Sequence, residues 1–450
     1  MEDRLPEAES DGAQQDTRRP SRAVSGWTLG LTCLAIVAAG VIVAGLLHKP
    51  EPELTTKPIP KTSEAPPAKV VEPPVTYPVT IPGCDTVEPP SKGGLHGVVG
   101  TMPYTYDNPA YPWFTGAKAE AMTQALRNAL PSGVEIAFAP IEKSLVFRPI
   151  PIMSGEPDKL PDGTTDADAT VVRGDLSGSL WVTVRQSTRP IPPPCVAGSL
   201  DERRHLADGV VADTRDSWFE VGSTRTRTRT VDAYLPDGTV VRAEANDSLP
   251  DQKGHSGGVP LTIDELVTMT TSAPQLRVTT PAPPATPEPP QGCSASGSGK
   301  SIDRNTATRL NAVLARIPLD GLALDRPLGD LHPGGFGFPR PTGTVDGLCQ
   351  MVRVTAGQER SDLSIAIGTR PPDGDEEEHG TTRQLPNGVS VQHQEYGVSG
   401  SEPNSTMKSG RTVIITYASG SWVSISSAGT PPLTYDQLEA IALTPGLEVS

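Results

Sequence analysis

Aromatic side chains make up only 4% of this 450-residue chain, and its 38 lysines and arginines are outnumbered by 53 acidic residues. A core built on large rings is therefore excluded. The net charge of -15 argues against a nucleic-acid partner, whose electrostatic footprint is basic. Only five cysteines occur and no two stand in a Cys-x-x-Cys spacing, so a zinc site has no support and no metal or cofactor is expected. Long uninterrupted folded stretches are lacking too, because 49 prolines and 44 glycines divide the chain. What remains is an alternation of folded and proline-rich regions, with one long apolar run.

That run, Trp27 to Leu47, is 21 residues without a charge, enough at 1.5 Å per residue to cross about 30 Å of hydrocarbon. A cleaved signal peptide has a shorter apolar stretch after a basic start, whereas here the mixed polar tail Met1–Gly26 precedes a full-length span. The expectation is one transmembrane helix in contact with membrane lipid, Cys33 being a small lipid-facing residue within it. The tail has no apolar periodicity and is expected to be disordered and cytoplasmic. Arg18, Arg19 and Arg22 before the run favour that orientation over Lys49, Lys57 and Lys61 after it. The other four cysteines, Cys84, Cys195, Cys293 and Cys349, are an even number on the C-terminal side, as disulfides in an oxidising, extracellular compartment would be. They allow three pairings. Cys84 with Cys195 and Cys293 with Cys349 is favoured, because each pair then falls within one module.

The modules emerge from internal repetition. A proline-rich stalk (48–83), favouring extended polyproline II, leads to residues 84–278; a second proline-rich linker (279–292) leads to 293–450. Arg204–Val210 aligns with Arg383–Val389, each bearing an Asp-Gly or Asn-Gly turn pair. Arg229–Ala245 aligns without gaps to Arg411–Ser427, and Ser179–Val184 matches Asp362–Ile367, both alternating as strands do. The closing segments Pro260–Val278 and Pro432–Val449 read as helices: Thr262 or Thr434 caps the start, Asp264 or Asp436 suits its positive end, and Leu266 with Met269, or Leu438 with Ile441, makes an apolar stripe. Each half also opens with a helix, from Ala117 and from Asn305, with stripes Ala119–Met122–Leu126–Leu130 and Leu310–Val313–Leu314–Ile317. The fold class is α+β: one transmembrane helix, then two tandem modules, each five or six mainly antiparallel strands with a helix at either end.

Thr224–Thr230 alternates threonine with Arg225, Arg227 and Arg229, so a strand would set the three guanidiniums on one face. They are the candidate ligand-binding residues, for an anion, against the plainer reading of a solvated sheet face. Only Arg229 has an arginine counterpart in the other half, Arg411; Ser409 and Met407 stand opposite the other two. Gly254-His255-Ser256-Gly257-Gly258 matches a nucleophile-elbow pattern, but the loop-like lead-in lacks the strand that exposes such a serine. Ser296–Ser301 lacks the first glycine of a phosphate loop, having Ser294 in its place. The acidic run Asp373–His379 and the group Asp162, Asp166 and Asp168 read as solvated, and Tyr104, Tyr106, Tyr111, Trp113 and Phe114 as the aromatic closure of one module end.

A short tail, one span, a proline-rich stalk and duplicated modules ending in the PLTIDEL and PLTYDQL segments resemble uncharacterised single-pass membrane proteins of actinobacteria, in keeping with high Ala, Pro, Gly and Arg usage. No catalytic residue comes with that resemblance. The expected function is a non-enzymatic extracytoplasmic binding or sensing protein of the envelope, engaging cell-wall polymer, a small molecule or an envelope protein. The alternatives are a surface serine hydrolase using Ser256, or a structural assembly protein.

Overall fold

In the computed structural model the described residues are 70–90, 106–150, 163–249, 254–295, 301–319, 321–334, 345–356, 359–369, 380–398, 408–429 and 432–449. The Trp27–Leu47 run, the stalk up to residue 69, Tyr104, Asp162, residues 296–300 and the Asp373–His379 run lie outside them. Among the described residues no helix is long and apolar enough to cross a membrane.

The first module contains β1 (Val70–Val71), β2 (Val87–Glu88), β3 (Glu135–Ile136), β4 (Thr164–Arg173), β5 (Leu176–Gln186), β6 (Cys195–Val196), β7 (Glu202–His205), β8 (Val211–Val221), β9 (Thr224–Tyr234) and β10 (Thr239–Asn246). Eight of them form an antiparallel sheet ordered β1-β8-β9-β10-β5-β4-β3, with β7 also on β8; β2 and β6 pair separately and in parallel. The second module contains β11 (Ala323–Leu324), β12 (His332–Pro333), β13 (Gly347–Ala356), β14 (Glu359–Gly368), β15 (Gly380–Gln384), β16 (Ser390–Val398), β17 (Lys408–Thr416) and β18 (Trp422–Gly429). Its order, β11-β13-β14-β18-β17-β16-β15 with β12 on β13, is the same path: β4-β5-β10-β9-β8-β7 corresponds strand for strand to β13-β14-β18-β17-β16-β15. The register agrees as well, since Arg229 faces Asp216 and Ala245 while Arg411 faces Glu395 and Ser427. Eight strands stand where five or six were expected, because short two-residue pairings at the margins add to the six longer ones.

The tight turns explain the pairing. Asp208 and Gly209 (φ 56° and 71°) close β7–β8, Gly388 (φ 77°) closes β15–β16, and Gly238 and Gly420 (φ 87° and 86°) close the hairpins after β9 and β17. These are left-handed conformations for which glycine and short polar residues are suited.

Each sheet buries one face under two helices: α1 (Gly116–Asn128) and α2 (Ile263–Ser272) in the first module, α3 (Arg304–Leu314) and α4 (Tyr435–Ala442) in the second. Thr115 and Asp303 cap α1 and α3, while α2 and α4 both begin with a capping box, Thr262 with Glu265 and Thr434 with Gln437. Met122, Leu126, Leu266 and Met269 meet Leu180, Val182 and Val241 in one core; Leu310, Leu314, Leu438 and Ile441 meet Leu363, Ile365 and Val413 in the other. Each module ends with the same device, the Val278 or Val449 amide donating to the hydroxyl of Thr239 or Ser421 at 2.9 Å.

Cys84 is bonded to Cys195 and Cys293 to Cys349, with Cα atoms 6.3 and 5.9 Å apart. Two proline-rich stretches are more engaged than spacers would be. Val70–Val71 joins the edge of the first sheet, and the Pro82 carbonyl accepts from the Arg203 amide. In the second linker, Pro289 is buried and Arg326 donates to the Glu288 carbonyl at 2.6 Å. Lys118, 2% exposed, sends its ammonium to the carbonyls of Gln275, Arg277 and Thr280. Burial lowers its pKa to about 8, and a desolvated ammonium needs such acceptors. The modules touch where Arg304 donates to the Ile136 carbonyl at 2.8 Å and its guanidinium lies 5.7 Å from the Phe138 ring.

The disulfides span 111 and 56 residues, which the chain-entropy account values at roughly 4 to 5 kcal/mol each. Replacing Cys84 and Cys195 together by serine is expected to lower the unfolding free energy by about 2–5 kcal/mol, measured by denaturant titration; unchanged stability would show that loop closure contributes nothing. A second expectation concerns Glu265, whose pKa Arg173 lowers to about 2 through hydrogen bonds of 2.7 and 3.0 Å, aided by Thr262 against a smaller desolvation effect. A depressed carboxylate stabilises the fold above its unfolded value of 4.5 and ceases to do so as pH falls toward 2. The stability advantage of wild type over Glu265→Gln should therefore shrink by about 2 kcal/mol between pH 5 and pH 2.

Candidate functional site

Alternation along β9 places Arg225, Arg227 and Arg229 on the face that also carries the core residues Val231 and Ala233. They continue that face beyond the cover of α2, and their surroundings divide them. Arg229 is structural: it donates to Asp216 at 3.0 Å, to the Leu261 carbonyl at 2.8 Å and to the Val259 carbonyl at 3.4 Å. Arg411 repeats this with Glu395 at 3.3 Å and the Leu433 carbonyl at 3.4 Å. Arg225 lies 3.9 Å over the Trp218 ring and pairs with Glu220 at 3.2 Å. Arg227 is exposed; its amide donates to Asp247, and among the described residues its guanidinium has no partner. The three-guanidinium face is thus reduced to one uncommitted cation and one stacked on an aromatic ring.

Ser256 sits in the loop between β10 and α2, its hydroxyl directed at the carbonyls of Ser177 (2.6 Å) and Gly258 (3.0 Å). A nucleophilic serine instead hands its proton to a base. The adjacent His255 meets the buried Asp247 carboxylate at 3.1 Å. Asp247 also accepts from the Arg227 amide, so the pair fastens this loop to β9. Asp166 and Asp168 are neutralised by Arg148 and Lys143. Tyr106, Trp113 and Phe114 pack ring to ring at 5.2–6.0 Å against the first core. Among the described residues no group of three His, Cys, Asp or Glu side chains could hold a metal ion.

Two features of the second module have no counterpart in these motifs. The first is an ionic cluster: His393 on β16 stacks on Tyr435 at 4.3 Å and meets the Glu439 carboxylate, which also takes Arg383. Thr214 and Val267 occupy the places of His393 and Glu439 in the first module, so the histidine–glutamate contact belongs to one copy, while Arg204, the counterpart of Arg383, pairs there with Asp264 at 2.6 Å. No local motif announces it, since its residues come from two strands and a helix.

The second feature is a cleft of about 370 Å³ between the C-terminal end of α3 and α4. Val313, Ile317, Leu322 and Ile441 supply apolar walls, and Arg316, Gln437 and Thr444 lie at its margin. Of the sequence stripe of α3, Leu310 and Leu314 are fully buried in the core, whereas Val313 and Ile317 pack against it half-buried and line this opening.

No family model matches the chain, and no characterised protein matches it. Among solved structures, the di-domain ARO/CYC BexL from the BE-7585A biosynthetic pathway covers 70% of this chain and 88% of its own at 11% identity, with a TM-score of 0.13. A TM-score that low bears on neither fold nor activity.

The division of labour along β9 is open to measurement. Arg229→Ala removes a charged donor from two carbonyls and should cost about 1.5–3 kcal/mol in urea unfolding, whereas Arg227→Ala should stay within about 0.5 kcal/mol of wild type. Equal costs would mean that the three arginines form one structural stripe.

Proposed function

We propose that the chain is a non-enzymatic, membrane-anchored binding or sensing protein of the cell envelope, its N-terminus cytoplasmic and its two modules extracellular. The observation that carries the reading is a pair of disulfide-closed modules of the same strand order, of which the second holds an apolar cleft. Disulfides persist in oxidising compartments, and the charge-free Trp27–Leu47 run has the length of one span. Duplicated folded units on a single anchor suit display of a ligand site outside the cell. The engagement of the Ser256 hydroxyl by two carbonyls favours binding over hydrolysis.

Two measurements test this. In intact cells treated with a reductant, a membrane-impermeant maleimide is expected to modify Cys84 and Cys293, the half-buried member of each disulfide, and to leave Cys33 untouched. Labelling only after lysis would reverse the orientation or remove the anchor. Fluorophosphonate labelling that disappears in Ser256→Ala would replace the binding reading with the serine hydrolase.

A further inference from the structure

We infer that the cleft between α3 and α4 is a binding site for a fatty acid, an unbranched alkyl chain bearing one carboxylate. This rests on the binding-protein reading and names its ligand class. This opening of about 370 Å³ falls in the range of ligand pockets, roughly 300–1,000 Å³. Its walls are aliphatic, with no aromatic platform to orient a flat or ringed ligand. Val313 and Ile317 leave apolar surface partly in water, a state that costs roughly 25 cal/mol for each Å² a ligand would cover.

The polar margin selects the head group. Gln437 already accepts from the Thr434 amide at 2.9 Å, and the Thr444 hydroxyl donates to the Ala440 carbonyl at 3.1 Å. Arg316 is the single charged residue of the lining, is exposed, and has no partner for its guanidinium among the described residues. No acidic residue lines the cleft. The C-terminal carbonyls of α3 carry about half a negative charge, which the full charge of Arg316 exceeds, and a guanidinium matches a carboxylate with two parallel hydrogen bonds. One uncommitted polar anchor beside an aliphatic channel fits a ligand with one polar end.

The first module serves as an internal contrast. At the positions of Val313, Arg316 and Ile317 it has Ala125, Asn128 and Ala129, and at that of Gln437 it has Glu265, bound to Arg173. Smaller walls, an anion and no free cation leave nothing there for a fatty acid.

The test uses the full chain in phosphatidylcholine nanodiscs with a diazirine-bearing decanoic acid, photolysis, and mapping of labelled peptides by mass spectrometry. Label is expected on the peptides covering 313–322 and 437–445. Ala440→Trp, a substitution at an exposed cleft position, should reduce it roughly tenfold, an energetic effect of about 1.4 kcal/mol. The surface change Arg316→Glu, which leaves the core untouched, should reduce it roughly fivefold, and Thr268→Trp in the first module should not change it. A diazirine-bearing decylamine should label these peptides several-fold less. Label scattered over the surface, equal labelling by the amine, or yields unaffected by Arg316→Glu would overturn the assignment. If these labelling results hold while the maleimide experiment fails, the site stands and the envelope location falls; the converse removes the site alone.

Discussion

Everything in each module depends on how its closing helix is held against the sheet. A helix covers a sheet face only if the chain enters it at the right height, and here that height is set by a guanidinium on the long strand beside the turn. Arg229 grips the Leu261 carbonyl, and Arg411 the Leu433 carbonyl, one residue before the capping threonine. The capping box then starts the helix, and Leu266 or Leu438 falls into the core. A lysine could not serve as well, because the acceptors at Arg229 are a carboxylate and two carbonyls at fixed positions, which suit a planar fork of donors.

This constraint also decides the fate of the arginine stripe. Spacing alone shows that Arg225, Arg227 and Arg229 share a face, and the face is as expected. What spacing cannot show is that the face is the covered one, so that the innermost arginine is drawn into the helix anchor while the outer two extend past it. The shared Arg411 was the available sign: a residue kept at the same register in both halves serves what both halves have in common, which is the fold.

The architecture was legible because duplication supplied two readings of one pattern. Asp208-Gly209 and Asn387-Gly388 are both turns, Ser179–Val184 and Asp362–Ile367 are both central strands, and the threonines of the PLT segments are both caps. Side-chain alternation and turn chemistry are local, so they survive in sequence. The tethering of the second linker was not legible, since prolines there say only that the chain is extended. Its place depends on Lys118, far off in α1, whose aliphatic neighbours on the stripe conceal a buried ammonium seeking carbonyls. The His393–Glu439–Arg383 cluster was hidden for the same reason: its members converge only after β15, β16 and α4 have packed.

The cleft was the least legible feature, because it arises from what two helices fail to bury. An apolar stripe promises burial of Val313 and Ile317 as firmly as of Leu310 and Leu314, yet the first pair is only half-buried and lines the cleft. Duplication makes this affordable in physical terms. In the first copy the corresponding margin is closed by the Arg173–Glu265 ion pair, and the exit of α2 is fastened by Lys118. The second copy has Thr306 at the place of Lys118, and its closing helix is tied by Glu439 to the β15–β16 hairpin, much as Asp264 ties the first to Arg204 on β7. Arg309 on α3 grips the carbonyls of Gly446 and Glu448 just beyond α4, at 2.7 and 2.9 Å, so the exit of the closing helix is fastened in both copies, and what differs is the wall itself: Val313, Arg316 and Ile317 stand where the first copy has Ala125, Asn128 and Ala129.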